Sequence, residues 1–176
     1  EGYKKLDDKE KIAYLEIDYG YYYNYRGDFE KAKLQFEKAL AIGKEINNGY
    51  LMASAYNGLS GNHSVKGEFK EAMSNTNEVL KIYKEKDNPW GIASVYLSMA
   101  DILNDQGEYE EALASYYKAD SMYKTLGLEK IRNSVANNIG TIYFYQHNYQ
   151  AALQQFTKIQ AALDKNNDDP PFQALI

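Results

Sequence analysis

The chain has 176 residues, 44% of them hydrophobic, and a formal net charge of −5. That apolar share excludes a disordered composition, and the acidic balance with dispersed basic residues argues against nucleic acid or an anionic membrane as the main partner. Cysteine is absent, which removes disulfides, thiolate metal sites and cysteine nucleophiles, and leaves the compartment, cytoplasmic or periplasmic, open.

Residues 1–8 (EGYKKLDD) read as the tail of an earlier helix. Tyr3 falls in one repeat column with Tyr83 and Tyr123, and Asp7 falls at a turn column with Asn47, Asp87, Gly127 and Asn167. Helix A of a first repeat is expected over 9–26, with Leu15, Glu16, Tyr19, Gly20 and Tyr23 as its core stripe. Helix B follows over 29–46, and Asn47-Asn48 turns the chain. A second pair is expected near 49–66 and 69–86. Asp87-Asn88-Pro89 then stops and restarts the chain, with Asn88 as N-cap and Pro89 in the first turn. The third pair lies near 89–106 and 109–126, with Gly127 as its cap, and the fourth near 129–146 and 149–165. Asn166 to Asp169 reads as a turn, and Asp169-Pro170-Pro171-Phe172 as the start of a further helix or a tail. The whole is one array: repeats 9–48, 49–88, 89–128 and 129–168, flanked by 1–8 and 169–176. No run of 18 apolar residues occurs, so no membrane-spanning helix is expected, and the N-terminus at Glu1 is read as trimmed.

One stretch organises these elements. Gly107-Glu108-Tyr109-Glu110-Glu111-Ala112 leads to Tyr116 and Ala119. It recurs as Gly27-Asp28-Phe29-Glu30-Lys31-Ala32, as Gly67-Glu68-Phe69-Lys70-Glu71-Ala72, and as His147-Asn148-Tyr149-Gln150-Ala151-Ala152. The copies start 40 residues apart without insertion, and a constant period in the range of roughly 20–50 residues means stacked repeats. The Gly ends one helix in a left-handed turn, the acidic residue suits the start of the next, and the Ala marks a close helix approach. No single repeat can bury its own apolar stripe, so neighbours must stack and share a core.

These columns resemble the tetratricopeptide repeat (TPR). The small residue (Gly20, Ser60, Ala100, Gly140), the aromatic three later (Tyr23, Tyr143), the Gly-Asp/Glu-Phe/Tyr-x-x-Ala stretch, then Phe36, Tyr116 or Phe156, then Ala39 or Ala119 follow its pattern. His63, Leu103, Thr76 and His147 depart from it. The family's usual period is about 34 residues, so 40 implies helices longer by roughly three residues, or ~4.5 Å each. The long form looks like arrays of bacterial peptide-sensing regulators, spindle-orientation adaptors and sensor portions of histidine kinases. HEAT and armadillo arrays have similar periods, but the signature fits them poorly. The resemblance implies an all-α, right-handed superhelical solenoid of four helix-turn-helix repeats whose A helices line a concave face.

On such a face the lining residues lie about 120° round helix A from the core stripe, at ~100° per residue. They are Tyr14, Ile17, Tyr21 and Asn24; Ser54, Asn57, Gly61 and Ser64; Ser94, Leu97, Asp101 and Asn104; and Ser134, Asn137, Thr141 and Phe144. Tyr25, Asp105, Asn138 and Tyr145 flank them. The set has no Lys or Arg, so a clamp for a terminal carboxylate is not expected. Amides offer both donors and acceptors to a peptide backbone, and tyrosines add stiff apolar area with a polar tip. A neutral or mildly basic peptide, extended or helical, is the ligand expected there; solvated surface is the plain alternative. Of the tyrosine cluster, Tyr19 and Tyr23 are assigned to the core, Tyr21 and Tyr25 to the groove, and Tyr22 to outer packing.

His63 and His147 occupy a core column and a helix cap, without partners at metal spacing. Asp101 and Asp105 sit i, i+4 but lack further oxygen ligands, and Asn62-His63-Ser64 is a sequon inside a helix. No phosphate loop, Ser-His-Asp arrangement or HExxH helix is present, so neither cofactor, metal nor reaction is expected. The sequence therefore reads as a protein- or peptide-binding module, a sensor or adaptor segment of a larger bacterial signalling protein. The alternative is a scaffold or self-association module that uses its open ends, with Phe172, Leu175 and Ile176 at one of them.

Overall fold

The structure, a computed structural model, describes residues 2–167, with side chains from Asp8 to Ala161. Eight helices follow one another: α1 (Gly2–Tyr25), α2 (Phe29–Glu45), α3 (Gly49–Val65), α4 (Phe69–Glu85), α5 (Pro89–Gln106), α6 (Tyr109–Thr125), α7 (Glu129–Tyr145) and α8 (Tyr149–Asn167). There is no strand among the described residues. The helices pack as antiparallel pairs, α1 on α2 through α7 on α8, and each pair stacks on the next. The result is an all-α solenoid of four helix pairs. None of the described helices is long and apolar enough to cross a membrane.

Every turn is closed the same way. Gly27, Asn47, Gly67, Asp87, Gly107, Gly127 and His147 all have positive φ, between 47° and 83°. They stand 20 residues apart. Beside each, a six-residue ring closes the helix end, as in Asp28 N–H to Tyr23 O at 2.9 Å and Asn148 N–H to Tyr143 O at 2.9 Å. The next helix then opens on an amide cap in three places: Asn48 accepts from Leu51 N–H, Asn88 from Gly91 N–H, and Asn148 from Ala151 N–H.

The packing unit is an aromatic knob in a hole left by small residues. Phe36 of α2 is fully buried, and Cβ atoms built on Gly20 (α1) and Gly58 (α3) would overlap its ring. Gly140 receives Phe156 in the same way, with a built Cβ 2.7 Å from the ring. Where the knob is Thr76, the opposing residue is Ser60. Their hydroxyls lie 2.7 Å apart and both reach the Ala72 carbonyl, so small meets small and both polar groups are satisfied. His63 holds an aromatic column with a polar ring, nearly buried, its Nδ1 2.5 Å from Glu68 Oε2.

Three expectations about the helices are corrected. The chain makes no turn at Asp7, because α1 runs unbroken from Gly2 to Tyr25. The segment Asp7-Asp8-Lys9-Glu10 has neither Gly nor Asn, one of which stands at every turn that does break the helix. At the other end, α8 continues through Asn166 to Asn167. The core stripe of α1 is Ala13, Ile17 and Gly20, whereas Leu15 and Tyr19 are 53% and 48% exposed. Their columns are buried at Ala55, Val95 and Val135, and at Leu59 and Ile139, where a preceding pair stands behind them. The proposed further helix from Asp169, and Phe172, Leu175 and Ile176, lie outside the described residues.

Gly58 tests the knob-in-hole packing. Gly58→Ala gains helix propensity of about 1 kcal/mol but overpacks Phe36, a change that destabilises by about 1–3 kcal/mol. We expect a lower urea midpoint at unchanged slope, partly restored by adding Phe36→Leu. A midpoint raised by Gly58→Ala alone would show that the ring has room to spare.

Candidate functional site

Two hollows lie between successive A helices. The first, about 360 Å³, is bounded by Asn57, Ser60, Gly61 and Ser64 of α3 and by Ser94, Ser98, Asp101 and Ile102 of α5. The second, about 480 Å³, lies between Asp101, Asn104 and Asp105 of α5 and Asn137, Asn138 and Thr141 of α7, with Tyr116 of α6 at its base. Asp101 is common to both. The two hollows thus form one polar trough along α3, α5 and α7. It follows from the small residues in the A-helix columns, which leave space between neighbouring helices.

The chemistry concentrates at Asp101. The Tyr116 hydroxyl donates to Asp101 Oδ1. Asn138 Nδ2 donates to the same Oδ1 at 3.4 Å, a long bond, and to the Tyr116 oxygen at 3.3 Å. Partial desolvation raises the Asp101 carboxyl above the usual carboxylate range; the two donors pull the other way, and Asp105 adds to the rise. Burial likewise pushes the Tyr116 hydroxyl far up, so it stays a donor. Across the trough the nearby ionisable carboxyls, Asp101 and Asp105, are both acidic, and no Lys or Arg lines either hollow. The arrangement suits a cation or a hydrogen-bond donor brought by a ligand. Among the described residues no three His, Cys, Asp or Glu side chains converge as a metal site requires.

Of the residues singled out from the sequence, the structure brings Asn57, Asp101, Asn104, Asn137, Asn138 and Thr141 together around these hollows. Others lie apart from them. Tyr14 and Tyr21 are exposed on α1, Tyr21 with its ring 5.1 Å from that of Phe36 at 72°, and Tyr25 stands almost fully in solvent. Asn24 is half-buried, and its Oδ1 accepts from Asn62 Nδ2 at 2.7 Å. Phe144 and Tyr145 form an exposed aromatic cluster with Tyr149 at the α7–α8 turn. Ile17 and Leu97 are not groove residues: Ile17 is 5% exposed and Leu97 packs against the third-repeat core. Their apolar side chains turn inward, whereas Asn57 and Asn137, polar residues of the same repeat column, line the hollows.

Sequence reasoning missed one participant in the trough and one buried amide outside it. Tyr116 reads as a core knob, yet its hydroxyl emerges beside Asp101. Asn62 is fully buried and donates to the Phe29 carbonyl at 2.8 Å as well as to Asn24. Phe29 O only accepts, so this contact fixes which end of the Asn62 amide is nitrogen and leaves its Oδ1 without a partner. Tyrosine in place of phenylalanine at the knob column was the one available signal for the first; none pointed to the second.

A model of the soluble NSF attachment protein (SNAP) family matches residues 15–168. The chain belongs to the SNAP family. Its repeats are TPR-like, as the sequence columns indicated. Among solved structures, the apo form of RapI superposes with a TM-score of 0.77 at 20% identity, covering 90% of this chain and 44% of RapI. The STAND protein PH0952 from Pyrococcus horikoshii, which has a tetratricopeptide repeat sensor, gives a TM-score of 0.77 at 22% identity, over 89% of this chain and 25% of that one. A Rap protein complexed with Competence and Sporulation Factor gives 0.78 at 14%, over 93% and 45%. The chain therefore spans less than half the length of each, and at these identities the likeness is one of fold. No curated protein sequence matches the chain significantly.

Asp101→Asn keeps an acceptor for Tyr116 and Asn138 while removing the charge. Because the folded carboxyl titrates above its ordinary value of 3.8, ionisation weakens the fold as pH rises through the interval from 3.8 to that raised value. Asp101→Asn is thus expected to be more stable than the parent at pH 7, with the gap closing once the pH falls below the ordinary carboxylate value. Denaturation midpoints at both pH values check this. A variant less stable than the parent at neutral pH would contradict the assignment.

Proposed function

We propose that this SNAP-family segment is a protein- or peptide-binding module that receives its partner in the trough along α3, α5 and α7, and that it carries out no reaction of its own. The observation that supports the reading best is the ionisable pair Asp101 and Asp105 in a trough otherwise lined by amides and hydroxyls. Asn57 and Asn137 offer their amides to a peptide backbone, and the carboxylates select a basic side chain or an amino terminus. The Rap protein complexed with Competence and Sporulation Factor and the TPR sensor of the STAND protein share this fold. They support a regulatory role as sensor or adaptor within a longer bacterial protein.

Selection of a random peptide library against the chain tests this. Enriched sequences should carry Lys or Arg. They should bind Asp101→Asn/Asp105→Asn about tenfold more weakly, the loss of roughly 1.4 kcal/mol expected for one charge-assisted hydrogen bond. Asn57→Ala/Asn137→Ala should weaken them further at unchanged melting temperature. Enrichment of acidic peptides, or full affinity in these variants, would overturn the assignment.

A second reading, self-association through an open end, is favoured by one observation. Leu15, Tyr19 and Tyr22 form an exposed stripe on α1 at columns that are buried between later pairs, a face that a second copy of this chain or a further helix pair would cover. Here the parent chain should show a mass in solution that rises with concentration, and Leu15→Lys/Tyr19→Lys should hold it at the monomer. A parent that stays monomeric throughout would contradict this reading.

A further inference from the structure

A separate cavity of about 270 Å³ opens on a different face of α7, between α6 and α8. Its origin is visible in the repeat columns. Forty and eighty residues before Ala136 stand Tyr96 and Tyr56, both half-buried against the core clusters of their repeats. Repeat four has only a methyl group there. Beside it, the apolar residues Leu40 and Leu80 give way to Asp120, and Met52 and Ile92 give way to Arg132. The space where an earlier repeat keeps its own tyrosine is therefore open, and its walls have turned polar.

The walls are built for a guest. Gln155 is 7% exposed, lines the cavity, and accepts from Lys158 Nζ at 3.1 Å. Arg132 is held by Asp120 and Glu129 at 2.8 Å each, so its charge is neutralised and its plane is fixed. Lys158 has an instructive counterpart. In repeat three, Lys118 Nζ sits 4.1 Å from the ring centroid of Tyr96. In repeat four the equivalent lysine lines the cavity; Tyr117 of α6, its hydroxyl 3.1 Å from that of Tyr143, forms one wall, and no ring stands at the Ala136 position itself. The volume lies just below the roughly 300–1,000 Å³ of drug-sized ligand sites, which suits one ring.

We propose that this cavity binds a phenol-like aromatic ring, taking the place of the missing tyrosine beneath Lys158 with its hydroxyl among Gln155, Asn133 and Arg132. The ring comes either as a side chain inserted by a partner or as a free small aromatic molecule. The site is independent of the α3–α5–α7 trough.

The test is an NMR titration of the full chain with p-cresol and, separately, with the capped tripeptide Gly-Tyr-Gly. Saturable shifts confined to residues of α6, α7 and α8 around Ala136 are expected. Lys158→Met should weaken binding by about two- to fivefold, the worth of an exposed cation–π contact. Ala136→Tyr should abolish binding and raise the melting temperature by restoring the earlier repeats' packing. Lys158→Met, a surface change, carries the test should Ala136→Tyr fail to fold. Binding of the tripeptide alone assigns the site to a partner's side chain. Binding of p-cresol alone assigns it to a free ligand. No saturable shift with either probe, or shifts equal in parent and both variants, would overturn the proposal and leave a water-filled hollow.

Discussion

The fold depends on one contact type, an aromatic ring driven into the gap between two helices that carry almost no side chain. Phe36 wedged against Gly20 and Gly58 is its tightest instance, because one ring fixes three helices and two repeats. Large against small keeps the summed volume constant at interior packing density. Phe156 is matched by Gly140 in the same way, whereas Thr76 and Ser60 are both small and close their gap through hydroxyls 2.7 Å apart. The third repeat uses the same contact to a second end. Its knob is Tyr116, paired in column with Ala100, and the added hydroxyl passes through the packed layer to reach Asp101. A stability element thereby delivers a polar group to the candidate site.

The spacing of the turns does the rest. A left-handed residue at each twentieth position holds α2 to α7 to 17 or 18 residues each, so equivalent columns come into register from repeat to repeat. Register is what lets small residues on α3, α5 and α7 accumulate into a continuous trough. His147 shows that the turn needs the conformation rather than glycine itself, since it adopts φ of 61° and its Nδ1 lies 2.9 Å from the Tyr149 hydroxyl. Register also makes a departure informative. Ala136 is unremarkable in isolation, and only its column partners Tyr56 and Tyr96 reveal a ring-sized vacancy.

The all-α repeat architecture was legible in the sequence because a 40-residue period with a Gly-acidic-aromatic-x-x-Ala signature leaves few alternatives. Burial on α1 was not. Leu15 and Tyr19 look like core by helical spacing, yet their burial depends on a preceding pair that spacing within one helix does not report. Asp7 failed for the opposite reason, since its column called for a turn and its neighbours were helix formers. In the candidate site, Asn57, Asn137 and Asp101 followed from rotation about the helix axis. Ile17 and Leu97, in the same repeat column as Asn57 and Asn137 but apolar, turned inward with the cores. Asn62 was illegible because its role rests on Asn24 and Phe29, 38 and 33 residues away.

Hydrogen exchange of the chain alone and with a library-selected basic peptide tests the central claim most directly. Binding in the trough predicts added protection in α3, α5 and α7, strongest around Asp101 and Asn138, with α2 and α4 unchanged. Protection confined to α1 or to the α2 and α4 helices would contradict it and move the binding surface to the end or outer side of the solenoid.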